Sequence, residues 1–356
     1  MFSIGWSTEV SAKLVAEDLY QGAASRLVGK PQWGLLFASG FHDGQQLFDA
    51  LREQAGTELP LFGGSCCGII CPAGIHYGGY EALLLLFSDP APDFLSLDQG
   101  AFEAEPVRRW LGDDHALLFF DLLGHNLATA MDELDGCHLS GAAMLGDHRL
   151  SSSFVFDGNG CVNDQVVLVK VPAPKRQRIS HGSDSVSQPL TITAVRDNCI
   201  LTLDHRPALE QLREFTGLAL ASRDNPLALQ LSLGRRHDGE QLTSHLVAAL
   251  DDASGGLVMA MGHFQKGEQV EVMLRSGPSI FADMDRALGQ LEPDRPSLYI
   301  DCAGRTSSFS GLAREEAQLL RERLQLRTAG FFSGAELATL AGRPTLMNWT
   351  GVMLQW

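Results

Sequence analysis

One order of elements recurs along this chain and limits what it can fold into. An apolar run is followed by an amphipathic stretch, then a turn of small residues, then further apolar runs. Near the N-terminus Leu35-Leu-Phe37 leads to residues 45–54, then Leu61-Phe-Gly-Gly-Ser-Cys-Cys-Gly68, then 81–87. Leu117-Leu-Phe-Phe120 leads to 126–134, Leu139-Ser-Gly-Ala-Ala-Met144 and 166–171. Residues 227–233 lead to 241–250, Gly256-Leu-Val-Met-Ala-Met-Gly262 and 269–274. Finally Leu298-Tyr-Ile-Asp301 leads to 315–324, Thr328-Ala-Gly-Phe-Phe-Ser-Gly-Ala-Glu336 and 346–354. Each copy reads strand, helix, strand, strand. Four such units, two to a half, make an α+β protein of two lobes, with sheets inside and helices outside.

The helical reading rests on stripes at 3.6-residue spacing. Leu47, Phe48 and Leu51 form the first, and Leu127, Met131 and Leu134 the second. Leu242, Leu246 and Ala249 form the third, and Ala313, Ala317, Leu320 and Leu324 the fourth. A further helix over 10–28 carries Val15, Leu19 and Ala23. Leu83-Leu-Leu-Leu-Phe87 and Val166-Val-Leu-Val169 are continuously apolar, as strands covered on both faces are. Asp157-Gly-Asn-Gly160 marks a hairpin turn. The chain loses its periodicity from Pro172, so the expected division is a domain at 1–171, a connector at 172–206 and a domain at 207–356.

Charge narrows the partners. The 27 basic and 43 acidic residues give −16, which excludes the cationic footprint that nucleic acid and anionic membranes reward. No apolar run approaches the roughly 20 residues that cross a bilayer, and the first residues lack a secretory pattern. Seven scattered cysteines fit reduced thiols, so a cytoplasmic location is expected.

The small-residue turns are the candidate sites. Gly64 and Ser65 would let a backbone approach a ligand closely, or simply make a tight turn. Cys66 and Cys67 match no zinc spacing and read as buried thiols or, alternatively, as an enzyme's nucleophile in an interlobe cleft. Arg305 could clamp an anion or cap the surface, and Phe331 and Phe332 could stack on a ligand or fill the core. His181 in the polar connector reads as solvated or as a loop ligand to non-covalent haem. Gly-x-Ser-x-Gly, His-Glu-x-x-His, Walker and dinucleotide motifs are all missing, which places a binding protein ahead of an enzyme.

Several segments together resemble one family. Gly330-Phe-Phe-Ser-Gly-Ala-Glu336 is similar to the C-terminal signature of FIST-domain proteins, Gly-Phe-aromatic-Ser/Thr-x-Gly-Glu-Ile. Leu61 to Gly68 resembles the N-terminal signature, and Gly141-Ala-Ala-Met-Leu-Gly-Asp147 the Gly-Gly-x-Ala-x-x-Asp segment. His181-Gly182, the stretch Leu203-Asp-His-Arg-Pro-Ala208, Asp301 to Arg305 with Glu315-Glu316, and Asn348-Trp-Thr350 continue the pattern in order. The resemblance implies a sensory protein with two FIST domains, binding a small, amino-acid-like ligand. Its site would then include Gly64, Ser65, Cys66, Cys67, Asp147, Arg305, Phe331, Phe332, Ser333, Glu336 and Asn348. One bacterial branch binds haem and senses nitric oxide, which would make His181 the haem ligand. Such proteins signal through histidine kinases or cyclic-di-GMP enzymes, so a partner in trans is expected here. A scaffold without a small ligand is the third reading. The chain departs from the pattern at Ile69, where Glu is usual, at Cys66-Cys67 and at Ala335.

Overall fold

The computed structural model describes residues 2–56, 58–125, 127–217, 231–237, 241–293, 295–306, 317–324 and 328–356. The protein is α+β. Its described strands form three six-stranded sheets and one eight-stranded sheet.

The three six-stranded sheets share one plan. In each, a parallel pair forms the centre: Trp33–Ser39 with Leu61–Cys66, His115–Asp121 with His138–Met144, and Ser297–Cys302 with Thr328–Ser333. The repeat's last strand then lies antiparallel on the outer side of the first: Ala82–Phe87, Gln165–Val171 and Gly351–Gln355. A leading strand completes that edge: Phe2–Ser7, Phe94–Asp98 and Arg176–Ser180. The other edge is exchanged between repeats. The hairpin of Gly68–Cys71 and Gly74–Tyr77 pairs with Thr328–Ser333 of the third repeat. The third repeat's hairpin, Ala335–Leu340 and Arg343–Met347, pairs with His138–Met144 of the second. The second repeat's short hairpin, Val155–Asp157 and Cys161–Val162, pairs with Leu61–Cys66 of the first. The exchange is cyclic and gives the body a pseudo-threefold axis.

Both faces of each sheet are covered, which explains the unbroken apolar runs. Period-two alternation sends Leu35 and Phe37 to a central core shared by all three sheets, and Leu36 and Ala38 to an outer core under helices. Ala12–Ala24 and Gly44–Ala55 cover the first sheet, using the stripes Val15, Leu19 and Ala23, and Leu47, Phe48 and Leu51. Asp43 caps the second of these by accepting from the amide of Gln46, and Gly56 ends it at φ 62°. Ala104–Leu111 and Ala128–Asp132 cover the second sheet, and Gly277–Leu288 and Ala317–Leu324 the third.

The register confirms which positions match. Ser39, Asp121 and Cys302 stand opposite Cys66, Met144 and Ser333. Three residues earlier come Gly63, Gly141 and Gly330, each facing the partner strand's carbonyl. A Cβ there would sit 2.4, 1.9 and 2.4 Å from the oxygens of Leu36, Leu118 and Tyr299. Glycine is therefore required by the close approach of backbone to backbone.

The expected third copy is where structure and sequence reading part. Residues 241–250 form not a helix but part of the eleven-residue strand Gln241–Asp251. It pairs with Leu231–His237 on one side and Gly256–Met259 on the other. Leu190–Arg196, Cys199–Leu203 and Gln269–Arg275 complete the ring, and Gln269–Arg275 closes it by pairing with Leu231–His237. The result is an antiparallel barrel around its own core, inserted in the third repeat between Arg176–Ser180 and Gly277–Leu288. Leu242, Leu246 and Ala249 match a helical stripe, but Val247 and Leu250 are buried more deeply, because long-range pairing overrode that spacing. Met259 accordingly has no counterpart among the strands carrying Phe62, Ala142 and Phe331, which do occupy equivalent places. Residues 346–354 are two strands, broken at Asn348 to Thr350 with Trp349 at φ 52°. Residues 227–230, Ala313 and Glu315-Glu316 lie outside the described residues.

Candidate functional site

The three small-residue turns converge around the axis at the C-terminal ends of the parallel pairs. The amide of Cys67 donates to the carbonyl of Phe332 at 2.9 Å, and Gly334 donates to Ala143 at 2.9 Å. The signature carboxylate position is Ile69 in the first turn, Asp147 in the second and Glu336 in the third.

The third turn holds the densest group of expected site residues. Arg305 and Asp301 form an ion pair at 3.1 Å with both side chains buried. Arg305 also donates to the carbonyl of Ser180, and to that of Trp349 at 3.4 Å. Glu336 is fully buried, 2.8 Å from Ser333 Oγ, and accepts from the amide of Thr350 at 3.2 Å. Burial drives the Glu336 carboxyl well above its ordinary range; the nearby Asp301 adds to this, and Ser333, Thr350 and Arg305 only partly offset it. Ser333 Oγ also lies 3.1 Å from the carbonyl of Asp301. One hydroxyl proton cannot serve both acceptors. A protonated Glu336 satisfies the group: it donates to Ser333, which donates to Asp301.

Asn348 ties this group to the barrel. Its amide donates to the carbonyl of Ser244 at 3.0 Å, and its side-chain oxygen accepts from the amide of Leu246 at 3.3 Å. Thr350 Oγ1 donates to the carbonyl of Asn348 at 2.9 Å, and Arg275 of the barrel lies over the Trp349 ring at 4.6 Å. Arg305, Ser333, Glu336 and Asn348 thus form a buried joint between the three-sheet body and the barrel.

Other expected residues fall elsewhere. Phe331 stacks on Phe37 at 3.9 Å in the central core, and Phe332 is buried edge-on to Tyr77 at 6.2 Å. Ser65 Oγ accepts from the amide of Phe154 at 3.1 Å, beside Gly64, which pairs with Val155, so both seat the exchanged strand. Asp147 shapes its own loop, accepting from Arg149 N at 2.6 Å and Ser151 Oγ at 2.7 Å. Cys66 and Cys67 are buried in apolar surroundings, and Cys67 Sγ faces the carbonyl of Leu145 at 3.4 Å. Burial, helped by Glu81 at Cys66 and by Cys66 and Asp147 at Cys67, pushes both thiols far up, the opposite of what a nucleophile needs.

His181 does not suit haem iron. Its Nδ1 accepts from the amide of Ser183 at 3.1 Å, so the neutral ring carries its proton on Nε2, the atom that would have to bind the metal. Ligating histidines do the reverse and donate from the other nitrogen. Asp283 accepts from the amides of His181 and Gly182 at 2.8 and 3.1 Å, and a Cβ on Gly182 would lie 2.3 Å from Ile280. This segment is packed where the chain enters the barrel.

One open space lies between the lobes. A polar cleft of about 730 Å3 runs between the barrel and the edge of the second sheet. Arg235, Arg236 and His263 line it from the barrel, and Asp132, Asp135 and Arg343 from the body. His263 Nδ1 lies 2.7 Å from Asp132 across it, while Arg343 pairs with Asp135 at 3.2 Å and Arg235 with Glu268 at 3.0 Å. Sequence reasoning missed these residues. Arg235-Arg236 at the end of an apolar run was the available signal. No described helix is long and apolar enough to cross a membrane.

Comparison with known proteins agrees with the signature segments. Residues 32–206 match the FIST N domain and residues 208–339 the FIST C domain. The chain is 26% identical to the uncharacterized protein Rv0628c of Mycobacterium tuberculosis, over 98% of each chain. It is 27% identical to the uncharacterized protein Mb0898c of Mycobacterium bovis, over 62% of this chain and 61% of that one.

Proposed function

This chain belongs to the FIST family, whose domains are sensory and bind small ligands in signal transduction, and we propose that its ligand occupies the cleft between barrel and body. The observation that carries this reading is the pairing of His263 with Asp132 across the cleft. A ligand bearing both a carboxylate and an ammonium group can exchange partners with such pairs, its carboxylate taking Arg343 or Arg236 and its ammonium taking Asp132 or Asp135. An amino-acid-like molecule has that chemistry. Swapping internal ion pairs for ligand contacts changes how the lobes are held together, which is the differential interaction a sensor requires.

The cleft wall connects to the joint. His237 lines the cleft and lies 3.1 Å from Thr243 Oγ1, and the next residue, Ser244, accepts from Asn348. From Asn348 the contacts continue through Thr350 to Glu336. Ligand occupancy would therefore bias the barrel's seating on the body. A cytoplasmic partner, a histidine kinase or cyclic-di-GMP enzyme, would read that change at the surface. Haem-based nitric oxide sensing is the weaker alternative, since the His181 hydrogen bond opposes it.

Calorimetric titration with the twenty amino acids and their decarboxylated and deaminated analogues tests the proposal. One or more amino acids should bind one-to-one, and Arg343→Ala and Asp132→Ala should each weaken binding about tenfold. Millimolar titrations without heat, or binding indifferent to both variants, would overturn it. Haem titration of the same protein should give no Soret shift that depends on His181.

A further inference from the structure

At the other end of the pseudo-threefold axis, the parallel pairs begin and the central core ends. A pocket of about 700 Å3 lies there, within the size range of small-molecule sites. Its floor is three equivalent leucines, Leu35, Leu117 and Leu298, each four residues before the matched strand ends. Its walls include another equivalent set, Phe87, Val171 and Trp356, opposite or just beyond the starts of the same strands. Trp33 stacks on Phe87 at 3.9 Å, and the Trp356 indole donates to the carbonyl of Pro172 at 2.7 Å, so the walls are fixed.

The mouth differs in kind from the floor. It carries Lys170, Lys175 and Arg295 against a single lining acid, Asp89. Lys170 is also paired with Asp114 at 2.8 Å, and Arg295 with Glu292. Arg176 also pairs with Glu292 at 2.7 Å, so Lys170, Lys175, Arg176 and Arg295 stand here against Asp89, Asp114 and Glu292, a local positive excess in a chain of net charge −16. We propose that this pocket binds a small amphiphilic carboxylate, its apolar body against the leucine floor and its carboxylate at the cationic mouth. Burial of the apolar body supplies affinity, and the mouth selects the sign of the head group. The site is separate from the interlobe cleft and does not depend on that reading.

The test uses the full chain and decanoate below its micellar range, with decanol and decyltrimethylammonium as neutral and cationic counterparts. Tryptophan fluorescence and calorimetry report binding, since Trp33 and Trp356 line the pocket. Decanoate should saturate one-to-one and bind at least about tenfold more tightly than the cation. Lys175→Glu, at an exposed position, should weaken decanoate several-fold and leave decanol unchanged. Leu298→Trp should abolish binding of both; if that variant does not fold, Val171→Trp at the half-buried wall replaces it. Equal affinities for the three head groups, no saturation, or indifference to both mouth and wall variants would each overturn the proposal. Co-sedimentation with phosphatidylglycerol vesicles without binding of soluble decanoate would overturn it too, by making the patch a membrane contact.

Discussion

The first and third signature turns share a backbone and differ in almost everything else. Cys66 and Ser333 sit at matched registers, and both turns cross to a neighbouring sheet. In the first, Ile69 continues into the central core. In the third, Glu336 is buried among Ser333, Thr350 and the Asp301–Arg305 pair. The second turn is intermediate, with Asp147 turned to its own loop amides. Position in the repeat fixes the turn, while the neighbour it meets decides what its side chain must do. Among the described residues, the polar group of the third turn joins the inserted barrel through Asn348 and so links the lobes.

The largest expected effect tests that joint. Arg305→Ala leaves Asp301 buried without its cation and should cost about 3–5 kcal/mol, read by urea denaturation. A cost below about 1 kcal/mol would make the third turn no more than a solvated decoration. Next, Gly141→Ala places a Cβ against the Leu118 carbonyl, a position equivalent to Gly63 and Gly330. It should cost about 1–3 kcal/mol by overpacking, and more than Gly330→Ala; a neutral outcome would break the equivalence of the repeats.

Two carboxyls at the same repeat position should respond to pH in opposite directions. Glu336 has its folded value raised, so its favourable contribution is complete below the ordinary glutamate range and is lost as pH rises towards the folded value. Glu336→Gln should therefore gain stability relative to wild type as pH rises above about 4.3, the value of an unperturbed glutamate. At Asp147 burial pushes up, but the donors from Ser151 and the loop amides outweigh it and lower the folded value. Its contribution is present above the ordinary aspartate range and lost as pH falls. Asp147→Asn should cost about 1 kcal/mol near neutrality and progressively less in acid. Parallel pH profiles for the two variants would erase the distinction.

The smallest effect concerns the thiols of the first turn. Cys66→Ala should cost about 1 kcal/mol by loss of buried contacts and leave ligand titrations unchanged. Iodoacetamide at pH 7 should label Cys66 and Cys67 slowly, behind the half-buried Cys161. Fast alkylation of either would restore the nucleophile reading and align the first turn with chemistry instead of packing.

Local signals in the sequence determined much of the body. The stripe at Leu47, Phe48 and Leu51, the apolar run at 83–87 and the turn from Asp157 to Gly160 gave a helix, a strand covered on both faces and a hairpin where the structure has them. Arg305, Ser333, Glu336 and Asn348 were legible as site candidates through their family segments, but not as a joint. Tertiary structure alone decided the exchange of hairpins, the closing of the barrel and the two cavities. The physical reason is that strand pairing uses backbone donors and acceptors common to every residue, so the pairing of Ile69 with Phe331, or of Leu231 with Leu274, leaves no mark on either segment. A short run such as 241–250 satisfies both periods until a partner strand chooses between them, and a cavity belongs to the gap between elements rather than to any one of them.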